Sequence, residues 1–331
     1  MIVMPAPQQI TELRSSIDPV FLDSPLMRHP ALDEALGCDC MLKVETLNPI
    51  RSFKGRGTEA VLSTHDPAAG VITTSTGNFG QGIARAAARR GVDATIVCPA
   101  DANPVKVEAM RRLGATVQIA APDDGDGKAL ARRIAADRGL TFIEDGAHPE
   151  IAVGAGGIAQ ELTDSGAEPD VLLIQIGDGA LALGVGSWMK ARSPETRIVG
   201  VIASGAPSMA RSLDAGRPVE VAPRTVADGM AIDRPVDGMV DLLPRVVDEV
   251  VLVDDDTILA AVRLLAQAAG LLAEPSGAAG IAAMMAQPAR FRGLHVATVV
   301  TGSNIHPQLL AELGASVDRV AAAARDTVTS E

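Results

Sequence analysis

A single lysine stands in the hexapeptide SFKGRG, between a phenylalanine and small residues. This residue, Lys54, is one of five lysines in a 331-residue chain that uses arginine at most of its basic positions. Arginine keeps its proton, whereas a lysine in a partly desolvated pocket can lose its proton and attack a carbonyl carbon. The position of Lys54 therefore favours covalent chemistry at an amine.

Three loops rich in glycine and hydroxyl side chains follow apolar runs of the chain. STGNFGQG begins at Ser75, IGDGALALG at Ile176 and TGSN at Thr301. Backbone N–H groups at a helix N-terminus bind anions, so the first loop suits a carboxylate and the second a phosphate. The Thr301 hydroxyl suits a ring nitrogen. Each loop alone is also typical of an ordinary capped turn, and GDGALAL lacks both GxGxxG and the P-loop lysine.

The elements that must position these loops alternate between short β-branched runs and Ala- or Leu-rich stretches with helical spacing. That alternation predicts βα units around parallel sheets. Ligands bind at the carboxyl ends of parallel strands, which is where the three loops begin. The predicted strands cover 71–74, 94–98, 116–120, 171–176, 198–202 and 296–300.

Composition argues against several classes of protein. The net charge of −12 and the pI near 4.9 disfavour a surface for nucleic acid or anionic membrane. No run approaches the ~18 apolar residues of a membrane span, and the N-terminus lacks the pattern of a signal peptide. The three cysteines have no zinc-binding spacing. These features predict a cytoplasmic protein without a nucleic-acid or membrane partner.

Taken together and in this order, the motifs resemble the fold-type II pyridoxal phosphate enzymes, within them the threonine dehydratase and serine racemase branch. The matching segments lie within residues 10–310 and include KVETLNPIRSFKGRG, STGNFGQG, GDGAL, TVADGMAI, AEPSGAAG and VVTGSN. The resemblance implies an α/β fold of two open, twisted, mostly parallel sheets flanked by helices, with the active site in the cleft between two domains. It implies a large domain of residues 1–68 and 147–326, a small domain of residues 69–146 and a frayed tail at 327–331.

The resemblance also implies roles for individual residues. Lys54 would hold pyridoxal phosphate as a Schiff base and later remove the α-proton of an amino-acid substrate. Phe53 would pack beside the cofactor ring, and Asn78 would bond its 3-hydroxyl. The other implied sites are the substrate-carboxylate loop of Ser75, Thr76, Gly77, Asn78 and Phe79, the phosphate loop of Gly177, Asp178, Gly179, Ala180 and Leu181, and the ring edge of Gly229, Glu274 and Thr301.

The phosphate loop departs from the family pattern, because Asp178 and Ala180 interrupt what is usually a run of glycines. A carboxylate repels a phosphate dianion, so Asp178 must point away or act as a helix N-terminal group. In addition, Ile202 and Ser208 replace the acidic residues that hold a divalent cation in serine racemases. Without carboxylates a hard cation has little to bind, so no metal site is predicted there.

The substrate loop departs from the pattern at two positions. Phe79 replaces the histidine common in dehydratases, which favours an apolar or larger β-substituent or is a simple packing change. Thr76 stands where similar racemases have a serine acting from the opposite face. Because threonine is bulkier and stiffer at χ1, racemisation is disfavoured.

The predicted activity is elimination of water from a β-hydroxy-α-amino acid, such as serine, threonine, a hydroxyaspartate or an aryl-serine, to give a 2-oxo acid and ammonia. Racemisation and β-replacement at the same site stay open, although TVADGMAI and AEPSGAAG resemble the dehydratases more than the cysteine synthases. Two further alternatives are a non-catalytic binding protein, in which Asp178 weakens cofactor binding, and a nicotinamide-dependent oxidoreductase. Because relatives are commonly dimers, the resemblance also implies a homodimer.

Overall fold

The computed structural model describes residues 2–65, 67–121 and 127–313. The strands are β1 (Leu26–Arg28), β2 (Asp39–Val44), β3 (Val71–Thr74), β4 (Ala94–Cys98), β5 (Thr116–Ile119), β6 (Thr141–Phe142), β7 (Val171–Gln175), β8 (Arg197–Ala203), β9 (Glu249–Val253) and β10 (His295–Val300). The helices are α1 (Pro7–Leu13), α2 (Pro30–Leu36), α3 (Lys54–Thr64), α4 (Asn78–Arg89), α5 (Pro104–Arg112), α6 (Gly127–Arg138), α7 (Pro149–Asp164), α8 (Ala180–Arg192), α9 (Ser208–Ala215), α10 (Met239–Leu242), α11 (Asp255–Ala269), α12 (Pro275–Ala286) and α13 (Pro288–Phe291), and residues 307–313 are also helical.

The strands form two sheets. The larger sheet has the order β1-β2-β10-β7-β8-β9, with β1 antiparallel to β2 and every other neighbouring pair parallel. The smaller sheet has the order β5-β4-β3-β6 and is parallel throughout. The α/β fold with two mostly parallel sheets is therefore confirmed.

The four strands of the smaller sheet, β3 to β6, follow one another in the chain between β2 and β7 of the larger sheet. The domain boundaries at 68/69 and 146/147 stay a prediction. The tail predicted at 327–331, and the end of the large domain at residue 326, lie outside the described residues.

The central strands of the larger sheet are buried along their length. All five residues of β7 are buried, as are the last five residues of β10 and of β2. This is typical of parallel strands that are covered by helices on both faces. Within the described ranges, no helix combines the length and the apolar character needed to cross a bilayer.

Helices α7 and α8 pack unusually closely beneath the larger sheet. A Cβ added at Gly184 would lie 1.9 Å from the carbonyl oxygen of Ala152, closer than any real side chain approaches backbone. The helices approach this closely because Gly184 carries no side chain. This contact fixes α8, which begins two residues after Asp178, a residue of the site described below.

We expect Gly184→Ala to lower the free energy of unfolding by about 1–3 kcal/mol, because the two helix backbones must move apart. Gly157→Ala in α7 is the matched control, since a Cβ there would meet nothing closer than an Arg56 nitrogen at 3.4 Å. Alanine is also the better helix former, so the control should stay within about 1 kcal/mol of wild type. Urea unfolding measures both values, and equal destabilisation by the two substitutions would contradict the packing argument.

Candidate active site

The loops that follow β3, β7 and β10 meet at one cavity of about 680 Å³. The cavity lies at the carboxyl ends of strands from both sheets, as parallel α/β architecture favours. Eleven residues singled out from the sequence line it, namely Phe53, Lys54, Ser75, Thr76, Gly77, Asn78, Phe79, Asp178, Gly229, Glu274 and Thr301. Gly177, Gly179, Ala180 and Leu181, from the expected phosphate loop, do not line it.

Lys54 is the first residue of α3 and is positioned by the loop before it. The Asn48 side-chain oxygen accepts hydrogen bonds from the Ile50 and Ser52 N–H groups, which folds the loop on itself. The Phe53 N–H then donates to the carbonyl of Thr301 at 3.0 Å. The loop that carries Lys54 is therefore tied to the carboxyl end of β10.

Two carboxylates hold the Lys54 ammonium. Its Nζ lies 2.7 Å from Oδ2 of Asp145 and 2.7 Å from Oδ2 of Asp178. The rings of Phe53 and Phe79 lie 5.2 and 5.7 Å from Nζ, within the range of cation–π attraction. Burial alone would lower the pKa of Lys54, but the two carboxylates outweigh it and raise the pKa above its usual value. Lys54 is a protonated amine in this arrangement.

Asp178 is a capping group as well as a partner of Lys54. Its Oδ1 accepts a hydrogen bond from the Ala180 N–H at 2.8 Å, at the first turn of α8. Burial would raise the pKa of Asp178, but the Lys54 charge and the backbone donors lower it below its usual value. One oxygen of Asp178 thus lies at the start of α8, bonded to the Ala180 N–H, while its second oxygen faces Lys54 and the cavity.

Asp145 has the opposite electrostatic character. Burial, followed by the nearby charge of Asp178, raises the pKa of Asp145 to about 7 despite the contact with Lys54. The two aspartates approach because Gly146 adopts φ of +75° and has no side chain, and a Cβ there would lie 2.9 Å from Cβ of Asp178. The site therefore holds one firmly ionised carboxylate and one that titrates near neutrality.

A second buried lysine, Lys106, forms another cluster of charged side chains in the cavity. The Lys106 Nζ lies 2.7 Å from Asp228 and 3.2 Å from Glu274. The Asn78 amide nitrogen donates to Glu274, and its oxygen accepts from the Asn304 amide at 2.9 Å. These contacts fix the orientation of the Asn78 side chain between the two sheets.

The geometry can be compared with known proteins. Residues 17–302 match the family model described as pyridoxal-phosphate dependent enzyme, so the chain belongs to that family. Within the family, it is similar to the biosynthetic L-threonine dehydratase of Haemophilus influenzae, with 33% identity over 303 residues that make up 90% of this chain and 59% of that protein. The chain thus spans less than two thirds of the length of this relative.

Solved structures show the same fold. The crystal structure of the threonine deaminase of T.th. has a TM-score of 0.84 and 31% identity, and the match covers 91% of this chain and 98% of that one. The maize serine racemase also has a TM-score of 0.84, with 26% identity over 96% of this chain and 99% of that one. The resemblance to the threonine dehydratase and serine racemase branch is confirmed, and the family identifies pyridoxal phosphate as the cofactor.

The residues of the cavity fit this cofactor. Ser276 Oγ is buried, borders the cavity and has no hydrogen-bond partner among the described residues, so it can meet a polar atom of a bound ring. A Cβ at Gly177 would lie 2.8 Å from the carbonyl oxygen of Gly229, so the loop before α8 passes as closely as a glycine permits. The N-terminus of α8 suits the phosphate. Asp178 opposes this fit, because the phosphate must displace it from the Ala180 N–H.

Lys106, Asp145, Asp228 and Ser276 also line the cavity, although no role was assigned to them from the sequence. Asp145 carries a readable signal, because TFIEDG is an apolar run that ends in acidic residues and a glycine. Lys106 lies inside α5 and carries no such signal. Among the described residues, no group of three or more His, Cys, Asp and Glu side chains is placed to hold a metal ion.

Proposed function

We propose that this protein is a dehydratase that eliminates water from a β-hydroxy-α-amino acid and releases a 2-oxo acid and ammonia. The observation that carries the proposal is the place of Lys54 Nζ in a cavity formed by the three glycine-rich loops. The threonine dehydratase of Haemophilus influenzae, 33% identical over most of this chain, supports it.

Pyridoxal phosphate supplies the electron sink that makes the α-proton of a bound amino acid acidic. Lys54 Nζ would hold the cofactor and would also be the base that removes the α-proton. Asn78, Glu274, Ser276 and Thr301 would hold the ring. The backbone of 177–181 at the start of α8 would hold the phosphate, with Asp178 moved aside.

The substrate carboxylate binds at the loop of Ser75, Thr76 and Gly77, before α4. This assignment follows from the backbone donors at the start of a twelve-residue helix, which favour a negative charge. The Ser75 hydroxyl already accepts hydrogen bonds from the Gly77 and Gly80 N–H groups, which fixes the shape of the loop. The Thr76 hydroxyl faces the same cavity.

The cavity wall favours substrates without a negative side chain. Phe79, Val97 and Ile232 supply apolar surface, and six acidic residues, Glu144, Asp145, Asp178, Asp228, Asp233 and Glu274, outnumber the basic Lys54, Lys106, Lys128 and Arg234. A second carboxylate on the substrate would meet this negative field. Serine, threonine and aryl-serines therefore fit better than a hydroxyaspartate.

A panel of β-hydroxy amino acids, with detection of the 2-oxo acid and of ammonia, tests the proposal. We expect the best of serine, threonine and phenylserine to exceed 3-hydroxyaspartate in kcat/KM by at least about tenfold, because like charges at close range cost a factor of that order. Loss of optical activity without release of a 2-oxo acid would favour the racemase alternative. Release of 2-oxo acid only when a thiol is absent would favour β-replacement.

We further propose that the protein is cytoplasmic, acts as a homodimer and consists of a large domain (1–68 and 147–326) and a small domain (69–146). The insertion of four consecutive strands as a separate sheet supports the division. The dimer and the compartment rest on the resemblance to the family. Light scattering coupled to size exclusion measures the oligomeric state, and limited proteolysis near residues 68 and 146 locates the boundaries.

A further inference from the structure

Asp145 contacts Lys54, the lysine that removes the α-proton in the proposed reaction. Its Oδ2 lies 2.7 Å from Lys54 Nζ. Its Oδ1 is buried and has no hydrogen-bond partner among the described residues. The side chain borders the cavity and keeps 26% of its surface exposed there. A group placed in this way can exchange a proton with Lys54 and with a molecule in the cavity.

We propose that Asp145 is the acid that protonates the departing β-hydroxyl, with a proton that it receives from Lys54. This inference rests on the proposed dehydratase function. Hydroxide is a poor leaving group, so the Cβ–O bond breaks readily only when a proton reaches the oxygen. Lys54 Nζ and Asp145 Oδ2 are already within hydrogen-bond distance, which is the geometry that a direct transfer requires.

The proton balance closes within this pair. Lys54 Nζ takes the α-proton, and the electron pair of the Cα–H bond forms the Cα–Cβ double bond as the Cβ–O bond breaks. The proton passes from Nζ to Oδ2 of Asp145 and from the Asp145 carboxyl group to the departing oxygen, which leaves as water. Both side chains return to their starting protonation states, and no further reactant is consumed.

The surroundings of Asp145 suit an acid that works near neutral pH. Its charged neighbours are Lys54, Asp178 and the adjacent Glu144, and the Glu144 carboxylate is itself held by Lys128 and Arg132. Burial is the largest cause that raises the pKa of Asp145, to about 7 in this arrangement, and proton transfer is most effective near such a value. Asp178 is unsuited to the task, because it must leave its place beside Lys54 and the Ala180 N–H when the phosphate binds.

The test compares two substrates that differ only in the leaving group, L-serine and β-chloro-L-alanine. Chloride leaves without a proton, so Asp145→Asn should lower kcat for serine by roughly 10²–10⁴-fold and kcat for chloroalanine by less than about fivefold. Asp214→Asn is the matched control, because Asp214 is exposed on α9 and does not border the cavity. It should leave both rates unchanged. The visible absorbance of the bound cofactor, titrated to saturation, is the readout that does not depend on turnover.

If an Asp145 variant reaches full cofactor absorbance but loses kcat equally on both substrates, Asp145 is not the acid. Its role would then be to position Lys54. Unchanged serine turnover would also show that Asp145 is not the acid. Asp145→Ala is measured in parallel, and both variants must show the same dependence on the leaving group. A wild-type protein that eliminates chloride but dehydrates no hydroxy amino acid would instead overturn the proposed function, so the two failures are distinguishable.

Discussion

The Lys54→Ala variant is expected to lose the visible absorbance of the bound cofactor and to fall by roughly 10³-fold or more in kcat/KM, because both the covalent link and the base disappear together. The other lysine buried in this cavity is not placed to take over the task. Lys106 is held by Asp228 and by Glu274, and Glu274 also accepts a hydrogen bond from Asn78.

Lys190→Ala is the control for this substitution. Lys190 pairs with Asp248 at the surface, outside the cavity, so the same truncation should leave the absorbance and kcat/KM within about twofold of wild type. Spectroscopy and 2-oxo acid release measure both variants. An active Lys54→Ala protein would contradict the assignment of the cofactor lysine.

Replacement of Arg56 by methionine is expected to cost about 3–5 kcal/mol of the free energy of unfolding, because it leaves buried carboxylates without their main cation. Arg56 is fully buried, two residues after Lys54. It donates to both oxygens of Glu45 and both oxygens of Glu161 at 2.7–2.8 Å. This network joins α3 to the end of β2 and to α7, so its loss should also weaken cofactor binding at Lys54.

The same network makes stability depend on pH. Burial would raise the pKa of Glu161, but Arg56 and Lys43 lower it to about 2. A carboxylate with a depressed pKa stabilises the fold above its unfolded-state pKa, and that contribution is lost as the pH falls through the folded value. Wild-type stability should therefore decline between about pH 4.5 and pH 2.

Arg112→Met is the matched control, because the Arg112 side chain is 78% exposed and its one ion pair within the described part of the chain is a surface pair with Glu108. Such pairs contribute about 0–1 kcal/mol. Chemical unfolding at neutral pH, together with a cofactor titration, measures both variants. Equal stability of the Arg56→Met protein and wild type would show that the buried network does not hold α3 in place.

Much of the larger framework could be predicted from the sequence. The six predicted strands appear with ends that differ by at most one residue, because short, mostly apolar runs such as Val171–Gln175 are typical of buried parallel strands. The β6 strand is too short, at two residues, to give a periodic signal. β2 begins with Asp39 and contains the buried Lys43, which pairs with Glu161. These two charged residues interrupt the apolar pattern, so the sequence does not indicate a buried strand there.

The candidate site was predictable where it is local in sequence and unpredictable where it depends on tertiary contacts. Lys54 and the three glycine-rich loops are contiguous motifs, and the fold brings them to one cavity. Lys106 enters it from α5 and Asp145 from the loop after β6, and their respective partners Glu274 and Lys54 lie far from them along the chain. The position of Asp178 was equally unpredictable. Its charge in the expected phosphate loop is explained by its contacts with Lys54 and the Ala180 N–H, which are tertiary and local contacts that the sequence alone does not reveal.

We propose that Lys54 is the residue to which pyridoxal phosphate binds covalently. The most direct measurement is to load the purified protein with pyridoxal phosphate, reduce it with borohydride, digest it and locate the cofactor by peptide mass spectrometry. We expect one reduced cofactor per chain on the peptide that contains Lys54, and an unmodified Lys106. Attachment at Lys106, or a protein that takes up no cofactor, would contradict it.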